Sequence, residues 1–327
     1  MIGLIVLRPV ASLVLLFAAA IGANADDYPS RPVTIVVPYT AGGTLDTAAR
    51  RLGQGLSERL GKPFLIENKA GGGTVIGANA VAKAKPDGYT LLMGSSTPLA
   101  INATLYKNLP YNASTDLTTL ALVAGTPLVL IVNPAVPVHS VADLIKLAKE
   151  KPLTYASASV GSPHHLFMEL FMVQTGIKMT HIPYRGTLPG LTDLISGQVP
   201  VMFCDLISGL EIMRAGKVRA VAAGTRTRLA VLPNVPSIAE SGIKELSDFH
   251  AASWLAVAAP AGTPMAIQEK LHQELEQIVA SDSFKDTLDK MGLTPMQRGS
   301  LAEINRFVQQ EIVRLGEVVK KSGASVQ

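Results

Sequence analysis

The stretch Val33-Thr34-Ile35-Val36-Val37-Pro38-Tyr39-Thr40-Ala41-Gly42-Gly43-Thr44-Leu45-Asp46 runs from apolar, β-branched residues through two adjacent glycines into an Ala/Arg/Leu-rich helical pattern. A short β-branched run bounded by a proline reads as a buried strand, and the spacing over 46–60 reads as a helix. The loop between them then lies at the C-terminal end of a strand, the edge where open α/β sheets bind ligands. Two glycines there let the backbone take otherwise costly angles and let a ligand approach its N–H groups. The first turn of the helix adds unpaired N–H groups and a partial positive charge of about half a unit. Together these form an anion site that needs no basic side chain. The competing account is a plain turn with Asp46 capping the helix, and this loop alone leaves both open.

Strand and helix patterns alternate outward from that loop. Strands are expected at 33–37, 64–67, 90–93, 128–133, 154–156, 178–182, 201–204, 220–223 and 254–258. Helices are expected at 46–60, 75–83, 141–150, 163–175, 189–196 and 207–214. This is the order of parallel strands joined by crossover helices. Three further helical patterns, 264–280, 283–291 and 301–322, close the chain, with Glu303, Glu311 and Glu317 among basic residues reading as a solvated face. The segments 120–127 and 218–227 are the candidate crossings between two domains, which gives 26–124 with 226–327 as one domain and 125–225 as the other.

Arg8, the apolar run 10–21 and the small-x-small triplet Ala23-Asn24-Ala25 read as a secretory leader cut after Ala25. The apolar core is shorter than the roughly 20 residues that span a bilayer. The whole 327-residue chain carries a formal charge of +4 with no block of like charges, which gives a nucleic-acid surface little support. Cys204 is the single cysteine, so an internal disulfide is excluded. Its apolar surroundings read as the end of a buried strand, where a small filler is favoured over a catalytic thiol.

Two more loops share the chemistry of the first. Ser157-Ala158-Ser159-Val160-Gly161-Ser162-Pro163-His164-His165 follows a strand and opens a helix, with Ser162 suited to the N-cap and Pro163 to the first helical position. Gly94-Ser95-Ser96-Thr97-Pro98 follows another strand. Catalytic constellations are missing: there is no P-loop, no Gly-x-Gly-x-x-Gly in the first loop and no Gly-x-Ser-x-Gly. Ser162 with His164 or His165 is too local for a nucleophile and base. His164, His165 and His181 lack the i, i+4 pairing of a helical zinc motif, and Asp46, Asp193 and Asp205 are each explained by a cap or loop bond. His165 reads as ordering its loop.

The ordered set Ser30-Arg31-Pro32 with Val33–Val37, then Ala41-Gly42-Gly43-Thr44-Leu45-Asp46, Glu67-Asn68-Lys69-Ala70-Gly71-Gly72-Gly73-Thr74, Pro86-Asp87-Gly88-Tyr89-Thr90, Gly161-Ser162-Pro163-His164-His165-Leu166, His181-Ile182-Pro183-Tyr184-Arg185-Gly186 and Leu232-Pro233-Asn234-Val235-Pro236-Ser237 resembles the Bug family. These are extracytoplasmic solute-binding proteins of tripartite tricarboxylate transporters. The resemblance implies a two-domain α/β, periplasmic-binding-protein-like (type II) fold with a ligand cleft between the lobes. It implies a periplasmic, monomeric protein that binds a small organic carboxylate, a dicarboxylate being favoured, and meets large and small membrane transporter subunits. A sensory binding protein is the alternative, an enzyme the weaker one, and neither cofactor, metal nor nucleic acid is expected.

The ligand-binding residues so implied are Tyr39, Ala41, Gly42, Gly43, Thr44 and Asp46 of the first loop, Ser95 and Ser96 of another, and Ser157, Ser162, His165 and Asp205 facing them. Asp46 is expected to order its loop. Cys204 departs from the family's pattern. His164 does too, and it reads as a solvated loop histidine, with contact to a distal ligand group as the alternative.

Overall fold

A computed structural model describes residues 27–326. The leader reading of residues 1–25 therefore lies outside the described residues. Nine strands among the described residues form one hydrogen-bonded sheet (β1 Val33–Val37, β2 Phe64–Asn68, β3 Thr90–Ser95, β4 Leu117–Val132, β5 Thr154–Ser157, β6 Thr180–Pro183, β7 Val201–Asp205, β8 Arg219–Ala223, β9 Ala252–Pro260). The order is β2-β1-β3-β9-β4-β7-β5-β6, with β8 on β4.

Ten α-helices accompany them among the described residues: α1 Thr44–Leu60, α2 Val75–Ala82, α3 Asn102–Leu105, α4 Val141–Glu150, α5 Pro163–Thr175, α6 Thr187–Ile195, α7 Leu206–Arg214, α8 Met265–Ala280, α9 Asp282–Lys290 and α10 Leu301–Ser322. None is long and apolar enough to cross a membrane.

The all-parallel expectation needs correction. β2, β1 and β3 are mutually parallel, as are β6, β5 and β7, but β9 runs antiparallel to β3 and β4, and β4 antiparallel to β7 and β8. β4 also begins at Leu117, eleven residues before the strand read from the sequence. Its first half pairs with β9 from Leu117↔Pro260 to Pro127↔Ala252. Its second half, from Leu128, pairs with β7 on one side and β8 on the other. Gly125 and Pro127, which look like strand breakers, sit where the partners change, the place where a missing N–H is tolerated. Next to it, the Gly224 N–H donates to the Leu128 carbonyl at 2.7 Å, and the Ala251 N–H to the Gly224 carbonyl at 2.6 Å.

One apolar cluster runs through both strand groups, from Val36 and Leu92 to Tyr155 and Phe203, and two smaller ones accompany it. β1 is buried at every position but Thr34, and its Val33, Ile35 and Val37 pack in one of these with Leu52 and Leu56 of α1, Leu271 and Leu275 of α8 and Phe284 of α9. The other gathers Leu191 and Leu194 of α6 with Met202, Cys204 and Leu210. α10 packs on both α5 and β4. Glu311 on α10 corrects the solvated-face reading: it is buried, takes the Trp254 indole N–H at 2.9 Å and pairs with Arg314.

Candidate functional site

A cleft of about 460 Å³ opens where the ends of β1, β3, β5 and β7 converge. Its first wall is the loop read at the outset. Gly43 is the N-cap of α1, in extended conformation and with no side chain to cap the first turn. Gly42 has φ +83°, the left-handed region glycine favours. Asp46 is not the cap: from the third helical position its Oδ2 reaches back to accept the Gly42 N–H at 2.8 Å and the Arg50 Nε–H at 3.0 Å. Its Oδ1 accepts from Asn68, whose amide also donates to the Tyr39 carbonyl. Burial would push the Asp46 carboxyl up, but the bonds from Arg50, Gly42 and Asn68 outweigh it and hold the group below its ordinary value. Asp46 is thus spent on shaping the loop, and the N–H groups at the start of α1 are left to the cleft.

The opposite wall is built on Ser162, the N-cap of α5, whose hydroxyl accepts the His165 N–H and donates to the Ser159 carbonyl. Pro163 occupies the first helical position, where no N–H is needed. Behind this loop His165 accepts the Gly161 N–H on Nδ1 at 3.1 Å and stacks on His181 at 4.0 Å, and His181 stacks on Tyr155 at 5.0 Å. Burial, with the neighbouring His181 adding to it for His165, pushes both imidazoles down to about 4. They are neutral near pH 7, as the acceptor role of His165 Nδ1 requires.

Asp205 is the N-cap of α7. Its Oδ1 accepts the Ser208 N–H at 2.9 Å, and its Oδ2 takes the Thr187 hydroxyl at 2.9 Å and His164 Nε2 at 3.2 Å. Burial would raise its carboxyl, yet the contacts from His164 and Ser208 hold it well below the usual carboxylate range.

Of the twelve residues singled out from the sequence, Tyr39, Gly43, Thr44, Ser95, Ser162 and Asp205 line the cleft. Ala41, Gly42, Asp46, Ser96, Ser157 and His165 do not. Gly42 and Asp46 form the loop's internal bond. The Ser96 hydroxyl is buried against that of Ser253 at 2.7 Å. Ser157 bonds His181 Nε2 at 2.6 Å and the Ser159 carbonyl at 3.0 Å. His164, read as solvated, is buried and lines the cleft.

Sequence reading also missed Thr74, Asn102, Ser253 and the Gly186-Thr187 start of α6, all on the lining. Thr74 is the only non-glycine with positive φ among the described residues, at 80°, and takes a bond from Asn102. Gly186-Thr187 had a signal, a glycine followed by a hydroxyl at a helical pattern. The starts of α1, α5 and α6 therefore all meet this cleft, and no lysine or arginine among the described residues lines it.

Residues 48–324 match the profile of the tripartite tricarboxylate transporter family receptor. The chain belongs to that receptor family. It is 37% identical to the protein BugT of Bordetella pertussis over 307 residues, 93% of either chain. A solved R. palustris receptor with adipate is 38% identical, with a TM-score of 0.82 over 91% of this chain and 99% of its own. MatC from Rhodopseudomonas palustris, with bound malate, is 31% identical, with a TM-score of 0.77 over 89% and 100%. The receptor fold is accordingly the two-lobed, periplasmic-binding-protein type, and the sheet reported above is its mixed α/β framework.

Proposed function

We propose that this receptor captures a small organic carboxylate, with a dicarboxylate favoured, outside the cytoplasmic membrane and delivers it to the large and small membrane subunits of a tripartite tricarboxylate transporter. The observation that carries the reading is the convergence of helix starts, those of α1, α5 and α6 among them, on a cleft lined by no lysine or arginine among the described residues. Helix N-termini bind anions through N–H groups and the aligned backbone dipoles. Adipate and malate in similar receptors agree with that chemistry. Gly43 and Thr44 would cradle one carboxylate directly or through waters, which serve nearly as well as direct bonds. Ser162 would close on it from the other side.

Binding rather than turnover is the reading because the polar groups of the cleft are tied to loop order. Behind its walls His165 and Asp46 are spent on Gly161 and Gly42, and the Thr187 hydroxyl that meets the His164–Asp205 pair donates to the carboxylate and not to the imidazole. We place the division between lobes at the change of partners near Pro127 on β4 and the Gly224–Ala251 contact, close to the 124/125 and 225/226 boundaries. Closure about these points is a population shift favoured by ligand contacts from both sides. Residues 1–25 serve as the leader, and the mature protein acts as a monomer in the periplasm.

The test is a thermal-shift screen of residues 26–327 against dicarboxylates, hydroxy acids, amino acids, aromatic acids and neutral amides. A ligand at 100 times its Kd adds about 2.7 kcal/mol. Stabilisation by carboxylates, without consumption of the compound on long incubation, is expected. Stabilisation by amides alone, or turnover, would overturn the reading.

A further inference from the structure

One cleft residue has bonding capacity that the fold leaves unused. His164 lines the cleft, is 9% exposed, and holds Asp205 through Nε2, yet its Nδ1 is buried with no hydrogen-bond partner among the described residues. A carboxylate can only accept, so Nε2 carries the proton and Nδ1 is the one polar atom of the ring left without a bond; being buried, it meets a ligand when the wall shifts on closure. Asp205 itself is nearly saturated. It receives His164, Thr187 and the Ser208 N–H, three of about four acceptor positions, so it serves to hold the imidazole and not to meet a ligand.

Charge bookkeeping in the cleft points the same way. Among the described residues, His164 is the only side chain on the lining able to carry a positive charge. With a neutral ring the wall around Asp205 would be negative and would repel a dianion. With a protonated ring the pair is neutral and Nδ1–H becomes a charge-assisted donor. The start of α6 at Gly186 and Thr187 lies on the same wall and favours an anion there. The other titratable groups on the lining are Tyr39 and Tyr106. On α5 itself, His165 and Glu169 belong to the stack with Tyr155 and His181.

Resting on the carboxylate reading above, we infer that His164, positioned by Asp205, is the specificity-determining residue for the second carboxylate of a dicarboxylic ligand, which it binds as imidazolium through Nδ1–H while the first carboxylate sits at the start of α1. Dicarboxylate binding is then linked to proton uptake, whereas binding of a monocarboxylate is not.

The experiment is calorimetric titration of residues 26–327 with adipate, hexanoate and 6-aminohexanoate. It is run on the wild type, His164→Gln and Asp205→Asn, with thermal melts verifying that each is folded. Wild type should bind adipate at least about tenfold more tightly than hexanoate, the strength of one charge-assisted bond. That ratio should grow as pH falls, with net proton uptake seen as a dependence on buffer ionisation enthalpy. Both variants should lose most of the ratio and its pH dependence. Tighter binding of 6-aminohexanoate by the wild type would make Asp205 the ligand's partner and overturn the inference. Equal affinity for adipate and hexanoate would overturn it as well and leave the carboxylate reading standing. Binding of none of the three would remove that reading, and this inference with it.

Discussion

The carboxylate of Asp46 accepts the backbone N–H of Gly42 at 2.8 Å, so the acidic residue of the first loop is turned away from the cleft and shapes the loop that lines it. Asp46→Asn keeps the shape but loses the charge that draws Gly42 and Arg50 together. Arg50 is exposed, so the ion pair itself is worth little. The expected cost is about 1–2 kcal/mol of stability, with weaker carboxylate binding measured by calorimetry. Because the folded carboxyl is held below its ordinary 3.8, its contribution is complete above that value and fades as pH falls through the lowered one. The acid limb of a melting-temperature profile should therefore be shallower in the variant.

Backbone recognition at α1 makes an unequal prediction for two neighbours. A Cβ on Gly43 would meet only the Thr40 carbonyl, at 3.8 Å, so the fold tolerates a side chain there and any penalty falls on the ligand. Gly43→Val should melt like the wild type and lose carboxylate binding. Thr44→Ala removes one hydroxyl and should cost about tenfold or less in affinity. Equal small losses from both would contradict an anion site built of N–H groups.

The stacked pair His165 and His181 predicts a second pH effect of defined sign. Both are held down to about 4 against an ordinary 6.5, so between those values the unfolded chain binds protons that the folded chain refuses. The stability they contribute is present above about pH 6.5 and is lost as pH falls toward about 4. Protonation of His165 Nδ1 would also break its bond to Gly161, loosening the α5 loop. His181→Phe keeps a ring in the stack and removes one titrating group, so its melting temperature should fall less steeply over this window.

Gly224 sits where three chain segments meet, and a Cβ there would lie 2.8 Å from Ala251 Cβ and 2.9 Å from the Leu128 carbonyl. Gly224→Ala should destabilise by about 1–3 kcal/mol, the range for overpacking. If this is the hinge, it should also alter closure, read as a change in small-angle scattering on adding ligand.

How far the sequence reached follows from what each feature depends on. The first loop was legible because a β-branched run, two glycines and a helical period are local signals, and β1, α4, α5 and α10 have the bounds read for them. The first half of β4 was not, because Gly125 and Pro127 break the local pattern and are tolerated only through the exchange of partners at Leu128. The turn at 97–101 and the short α3 were missed for a like reason, with Pro98 and Asn102 in place of helical spacing. His164 was misjudged because its inward orientation is set by Asp205, 41 residues away. Glu311 was read as solvated because nothing local announces its bond to Trp254. Local chemistry thus identified the cleft's loops, while the layer that each side chain occupies depended on distant partners.

The most direct test of the central claim, that a cleft with no lysine or arginine of the described residues on its lining holds a carboxylate through helix starts and hydroxyls, is calorimetric titration of residues 26–327 with adipate, malate and the neutral diamide of adipate. The account predicts saturable one-to-one binding of at least one of the acids and a loss of about a hundredfold or more for the diamide, since charged acceptors make bonds roughly twice as strong as neutral ones. Equal affinity for acid and diamide would contradict it.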